Sequence, residues 1–104
     1  MSREPDAATL LERALLADAR ASGCPVEIAR AEWVRWASAT FTGARHLMEI
    51  VSPASPALDA WIARLPDTEF ALHGHLVADL VVERIRRDHG TMVLCLGILT
   101  VEER

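Results

Sequence analysis

Thr91-Met92-Val93-Leu94-Cys95-Leu96-Gly97-Ile98-Leu99-Thr100-Val101 is the stretch on which the fold turns. It carries no charged residue and no proline, and it is rich in the aliphatic side chains that strands favour. Read as a strand, it has two faces: Met92, Leu94, Leu96 and Ile98 on one, Val93, Cys95, Leu99 and Val101 on the other. A strand with one wet face alternates apolar with polar, and this one is apolar on both. Two helices can cover one side of a small sheet in a chain of 104 residues, so something else must cover the other side. The economical cover is a second copy of the chain or a partner. The competing expectation is that Trp33, Trp36 and Trp61 fold over that face within one molecule.

Upstream, Asp88-His89-Gly90 reads as a tight turn, with glycine able to supply a positive φ. Residues 78–87 form the strand that leads into it, and Phe70 to Leu72 a short extended piece before Gly74. Ser52-Pro53 and Ser55-Pro56 mark a helix start, since proline is tolerated at the first helical position. Leu58, Trp61, Ile62 and Leu65 are its buried stripe, and Pro66 ends it. Thr40 to Val51 reads as a strand in which Leu47, Glu49 and Val51 alternate against His46, Met48 and Ile50. Val26 to Trp36 supports two readings. Val26, Ala29, Trp33 and Trp36 would make a helical stripe, while Val26, Ile28, Val34 and Trp36 would share a strand face with Arg30 and Glu32 between them. Asp6 to Ala21 reads as a helix with Asp6 as its cap and with Gly23 and Pro25 stopping it. The expected architecture is α+β, a small mixed and mostly antiparallel sheet with two helices packed on one face, in a single domain over residues 1–104.

Hydrophobic residues make up 51% and charged residues 25%, which places the chain among folding sequences. One domain of this length should have a radius of gyration of roughly 13 Å. Charge interrupts every apolar run before the roughly 20 residues that a membrane helix needs. Met1 to Asp6 carries Arg3, Glu4 and Asp6 and lacks the apolar core of a secretory signal, so a soluble protein made and kept inside a cell is expected. The formal charge of −4 argues against a dedicated nucleic-acid binder. Every basic side chain is arginine, which tolerates interface burial better than lysine. Cys24 and Cys95 are too few for a disulfide scaffold and read as small hydrophobes.

Chemistry-bearing patterns are sparse. His73 and His75 flank Gly74, and with His46 they are the one candidate zinc set. No Cys, Asp or Glu completes a standard spacing, and the simpler reading is a turn glycine between hydrogen-bonding imidazoles. Ser38, Ser52 and Ser55 lack a nucleophile-elbow context, and no phosphate-binding glycine loop is present. Asp79 and Glu83 would lie on one strand face as solvated carboxylates. The expectation is a non-enzyme without metal or cofactor. Arg84, Arg86 and Arg87 cluster before the turn, with the first two on one face and the third opposite. They suit a carboxylate-rich surface or phosphate, or simply a solvated hairpin end balanced by Glu83 and Asp88.

The order of several short motifs carries a resemblance. Pro25-Val26-Glu27-Ile28 and Trp36 are followed by Thr40-Phe41-Thr42-Gly43 and His46-Leu47-Met48-Glu49-Ile50. Then come Phe70-Ala71-Leu72-His73-Gly74-His75-Leu76-Val77, Arg86-Arg87-Asp88-His89-Gly90-Thr91, and a closing strand into Thr100-Val101-Glu102-Glu103. From Pro25 to Glu103, plus the N-terminal helix, this resembles the tail-terminator (tail-completion) proteins of long-tailed phages, above all those of phage-like gene transfer agents. The resemblance implies an α/β sandwich, a strand over Val26 to Trp36 and a homohexameric ring at the head–tail junction. Such a ring caps the tail tube, contacts the tail-tube protein on one side and the head-side connector on the other, and lets DNA pass without specific binding or membrane contact. It belongs in a virion or phage-like particle assembled in the bacterial cytoplasm. The residues expected at interfaces are Trp33, Trp36, Phe41, Arg84, Arg86, Arg87 and His89. Between the helix and the Pro25 strand, where the family has a longer segment with an extra strand, only Ser22, Gly23 and Cys24 remain.

Overall fold

Asp6 opens the first helix by a simple device: its carboxylate accepts the Thr9 backbone N–H at 2.9 Å, satisfying one of the donors a helix start leaves free. Helix α1 runs Ala7–Ala21 and buries Leu11, Leu15 and Ala19, four residues apart on one face. It stops at Ser22-Gly23, where Gly23 takes φ +77° and the Cys24 N–H returns to the Ala19 carbonyl at 2.9 Å. That return drops Cys24 into the core, 2% exposed. Five residues, Ser22 to Val26, therefore suffice to lead from the helix into the sheet.

The computed structural model describes residues 6–103; the reading of Met1 to Pro5 as lacking a signal lies outside them. Strands β1 (Glu27–Ala37) and β2 (Thr42–Pro53) form one hairpin. Helix α2 (Pro56–Arg64) follows, extended by one 3-10 turn over Leu65–Asp67. Strands β3 (His75–Asp88) and β4 (Thr91–Glu102) form the second hairpin. The sheet order is β1-β2-β4-β3, and every neighbouring pair is antiparallel. The α+β architecture with two helices on one side of a four-stranded sheet matches the expectation.

The register sorts the side chains. Met92, Leu94, Leu96, Ile98 and Thr100 of β4 pair with Ser52, Ile50, Met48, His46 and Ala44 of β2, and all of these are buried. Leu11, Leu15, Leu58, Trp61 and Leu65 of the helices and the 3-10 turn pack onto that side. Trp61 is fully buried, and its indole N–H donates to Asp18 of α1 at 2.8 Å, so the donor that burial would otherwise strand is satisfied. Ser55 caps α2 by accepting the Leu58 N–H at 3.0 Å.

Two sequence-level expectations change here. Val26 to Trp36 is a strand for nearly its whole length, because β2 offers a full antiparallel ladder for it. Its faces are not those of simple alternation, however. A bulge at Ala29 shifts the phase, so Ile28 points to the helix side while Arg30, Glu32, Val34 and Trp36 share the opposite side. The expected compact body is also somewhat long, at 44 × 24 × 23 Å with a radius of gyration of 14.1 Å. Fourteen strand residues reach about 46 Å at ~3.3 Å each, whereas the fifteen of α1 reach only about 22 Å at ~1.5 Å each.

Candidate interaction surface

The side of the sheet away from the helices has no layer over it among the described residues. Down its middle run Val93, Cys95, Gly97, Leu99 and Val101 of β4, Val93 buried and the rest partly exposed. The three-tryptophan cover does not form. Trp61 lies under the helices, Trp33 is on the helix-side row of β1 and 51% exposed, and only Trp36 lies on the open side. Trp36 packs against Gly43 of β2. A side chain at Gly43 would meet the Trp36 ring on one flank and collide with the Thr100 carbonyl on the other, so this glycine is a condition of close approach.

The open side is less greasy than the β4 sequence implies. Arg45 and Glu49 of β2 pair in register with Leu99 and Cys95, and Asp79, Arg84 and Arg86 of β3 pair with Leu99, Cys95 and Val93. A bulge at Glu83 keeps that residue and Arg84 on the same side, and the Glu83 carboxylate lies over Gly97. Asp79 and Glu83 therefore do share the open face. Charged side chains border the apolar row, and their methylene stems can shield it. Arg30, Glu32, Leu47, Glu49, Glu83, Arg84 and Cys95 line a cleft of about 260 Å³ across this face. Cys95 is thus half-buried at a cleft, unlike Cys24.

Apolar exposure concentrates at the lateral edges. Of the seven exposed large hydrophobics among the described residues, Trp33, Val34 and Phe41 belong to β1 and its hairpin turn, Leu76, Val81 and Ile85 belong to β3, and Leu47 is on the open face. The expected interface residues fall into two groups at opposite edges and opposite ends of the sheet. Trp33, Trp36 and Phe41 are on the β1–β2 hairpin, whose turn is tied by the Ser38 N–H donating to the Phe41 carbonyl at 2.7 Å. Arg84, Arg86, Arg87 and His89 are on the β3–β4 hairpin. Arg84 and Arg86 face the open side, and Arg87 pairs with Met92 on the other. His89 takes φ +49° and its ring nitrogen lies 2.7 Å from Asp88. Sequence reasoning named residues on both edges but overlooked Leu76, Val81 and Ile85, because alternation alone does not reveal which strand is outermost.

The histidines do not converge. His46 pairs with Ile98 and His75 with Glu102, four residues apart along β4 and on the two different strands that flank it, while His73 precedes β3. Among the described residues no three side chains stand where they could hold a metal together. His46 is 3% exposed, and its Nε2 lies 2.9 Å from the Thr100 hydroxyl. Its Nδ1 is buried without a hydrogen-bond partner among the described residues. Burial lowers its pKa below the usual imidazole value, because a second N–H would have no acceptor.

No described helix is long and apolar enough to cross a membrane. No family model, no curated protein and no solved structure matches the chain.

Proposed function

We propose that the chain is a non-enzymatic assembly protein that self-associates into a ring and terminates a phage-type tail tube at the head–tail junction. The observation that carries this reading is the distribution of exposed apolar side chains over two different edges of one sheet. A ring needs two unlike patches on each subunit, one for each neighbour, and exposed apolar patches mark interaction sites. The motif order that resembles tail terminators supports the same reading and supplies the expected six copies, the tail-tube protein and the head-side connector as partners. A charge of −4 per chain suits a passage that DNA must cross without sticking. Such a ring belongs in a virion or phage-like particle assembled in the bacterial cytoplasm. The direct test is electron microscopy of tail tubes grown with and without the purified protein. Tubes of fixed length carrying a terminal ring are expected, and tubes that ignore the protein would overturn the assignment.

The cleft across the open face favours a second reading, a small binding or regulatory module that grips one partner there. It predicts a one-to-one complex, and a partner whose binding Arg84→Glu abolishes.

A further inference from the structure

The helix-side corner where β2, β4 and the start of β3 meet holds two imidazole nitrogens that burial leaves idle. His46 is buried, and its Nε2 lies 2.9 Å from the Thr100 hydroxyl. That hydroxyl donates to the Ala44 carbonyl at 3.4 Å, so it accepts the Nε2 proton and Nδ1 is the bare nitrogen. The His46 Nδ1 is buried with no hydrogen-bond partner among the described residues, and so is the His75 Nδ1. Thr100 and Ala44 beside His46 are buried as well. Helix α1 starts at this corner. Its far end leads through Cys24 into the row of Glu27, at the other end of the sheet, and its cap residue Asp6 interacts by charge with both histidines. The charges that act on His46 are Asp6 from α1 and His75 from β3. Its neighbours in the sheet, Trp33, Ala44, Met48, Ile98 and Thr100, carry none.

We propose that the start of α1 is an acid-operated latch: a proton on the His46 Nδ1, with His75 charged beside it, unwinds the first turn of α1 from the sheet and uncovers Ala44, His46 and Thr100. In the closed corner a charged imidazole carries a second N–H with nothing to receive it, and a buried donor without an acceptor is destabilising. Burial is the largest influence on His46 and disfavours its charged form; Asp6 pulls the other way, and His75 adds to burial. Asp6 is exposed to water and already holds the Thr9 N–H, so its attraction is screened. Unwinding relieves the strain with little loss of packing. Leu11, Leu15 and Ala19 anchor the rest of the helix, whereas Ala7 to Leu10 are only half-buried. In the open form the imidazole meets water and takes its proton near the ordinary value of 6.5. Acid therefore favours opening as the pH falls below that value.

Amide hydrogen exchange of the full chain tests the latch. The Leu10 N–H bonds to the Asp6 carbonyl, and those of Leu11 to Arg13 bond to the next carbonyls of the first turn. Their protection should fall roughly fivefold to tenfold from pH 7.5 to pH 5.5, after correction for the intrinsic pH dependence of exchange. Low urea should change their exchange little, whereas Leu94 and Leu96 in the core should exchange only through urea-sensitive opening. His46→Gln should remove the pH response of Leu10 to Arg13. Asp6→Asn keeps a capping oxygen but removes the charge that favours the cation, and should enlarge that response. Nitrogen-15 NMR of the wild-type imidazoles, which needs no variant, should find the His46 proton on Nε2 at pH 7.5. Protection of Leu10 to Arg13 that ignores pH, or that is lost in step with Leu94 and Leu96 at every urea concentration, would overturn the latch. So would a pH response that survives His46→Gln or shrinks in Asp6→Asn, or a His46 proton found on Nδ1.

Discussion

Gly43 and Gly97 sit on neighbouring central strands, yet their tolerance of a methyl group should differ. At Gly43 the obstacle is the Thr100 backbone carbonyl, which cannot move without breaking the β2–β4 ladder. At Gly97 the obstacle is the end of the Glu83 side chain, which can swing away. Gly43→Ala should therefore cost about 3 kcal/mol, the upper part of the usual overpacking range, and Gly97→Ala under about 1 kcal/mol. Urea denaturation of the two variants checks this. Trp61→Ala should cost roughly 3–5 kcal/mol, since it opens a cavity under both helices and leaves Asp18 without its indole donor. A loss below about 1 kcal/mol would contradict its full burial. His46 makes stability depend on pH. Its folded pKa is lowered from 6.5 by burial, so the unfolded chain binds the proton first. The contribution is complete above the unfolded pKa and is lost as pH falls below it toward the folded value, at no more than about 1.4 kcal/mol per pH unit. Denaturation midpoints at pH 7.5 and pH 5.5 should differ more for the wild type than for His46→Gln. None of these roles could be read from the residue alone: a glycine in a strand signals close approach, but only the register says to what.

At the scale of elements, much was legible and the losses have identifiable causes. The Asp6 cap, the Ser55-Pro56 start and the His89-Gly90 turn are local chemistry and read correctly, whereas Ser52-Pro53, the other pair that suggests a helix start, is the end of β2, where the ladder to Met92 and Thr91 holds it extended. The two faces of β4 also read correctly, because period-two alternation needs no partner to be seen. β1 stayed open between helix and strand because its decisive partner, the full β2 ladder, is a tertiary fact. Its faces differ from simple alternation because one extra residue at Ala29 inverts everything after it. The open side is less apolar than the sequence of β4 implies for a related reason. Arg45, Glu49, Asp79, Arg84 and Arg86 reach it from neighbouring strands, and a single strand's sequence cannot announce its neighbours. The two rows of β4 should now respond differently to charge. Leu96→Asp places an unpaired carboxylate at a fully buried position and should abolish folding. Leu99→Asp, on the partly exposed row between Arg45 and Asp79 in register, can reach water and the Arg45 charge and should leave a cooperatively folded domain. Far-ultraviolet circular dichroism with a thermal melt distinguishes the two outcomes.

For the whole molecule, the arrangement is asymmetric in a way that matters. Both helices serve one side, the other side has only its own charged fringe, and the two edges show unlike apolar residues. On the proposed reading, the exposed apolar residues of β1 and β3 are the two contact patches through which another copy supplies the remaining cover. Arg86→Glu should accordingly leave the thermal melt within the small range of a surface change while reducing association; an unfolded Arg86→Glu chain would make Arg86 structural. The most direct measurement is native mass spectrometry of the wild-type chain across a wide concentration range, alone and after incubation with tail tubes. One closed multimer of fixed copy number should build up with concentration or appear on the tube ends. A single-chain mass under every one of those conditions would contradict it.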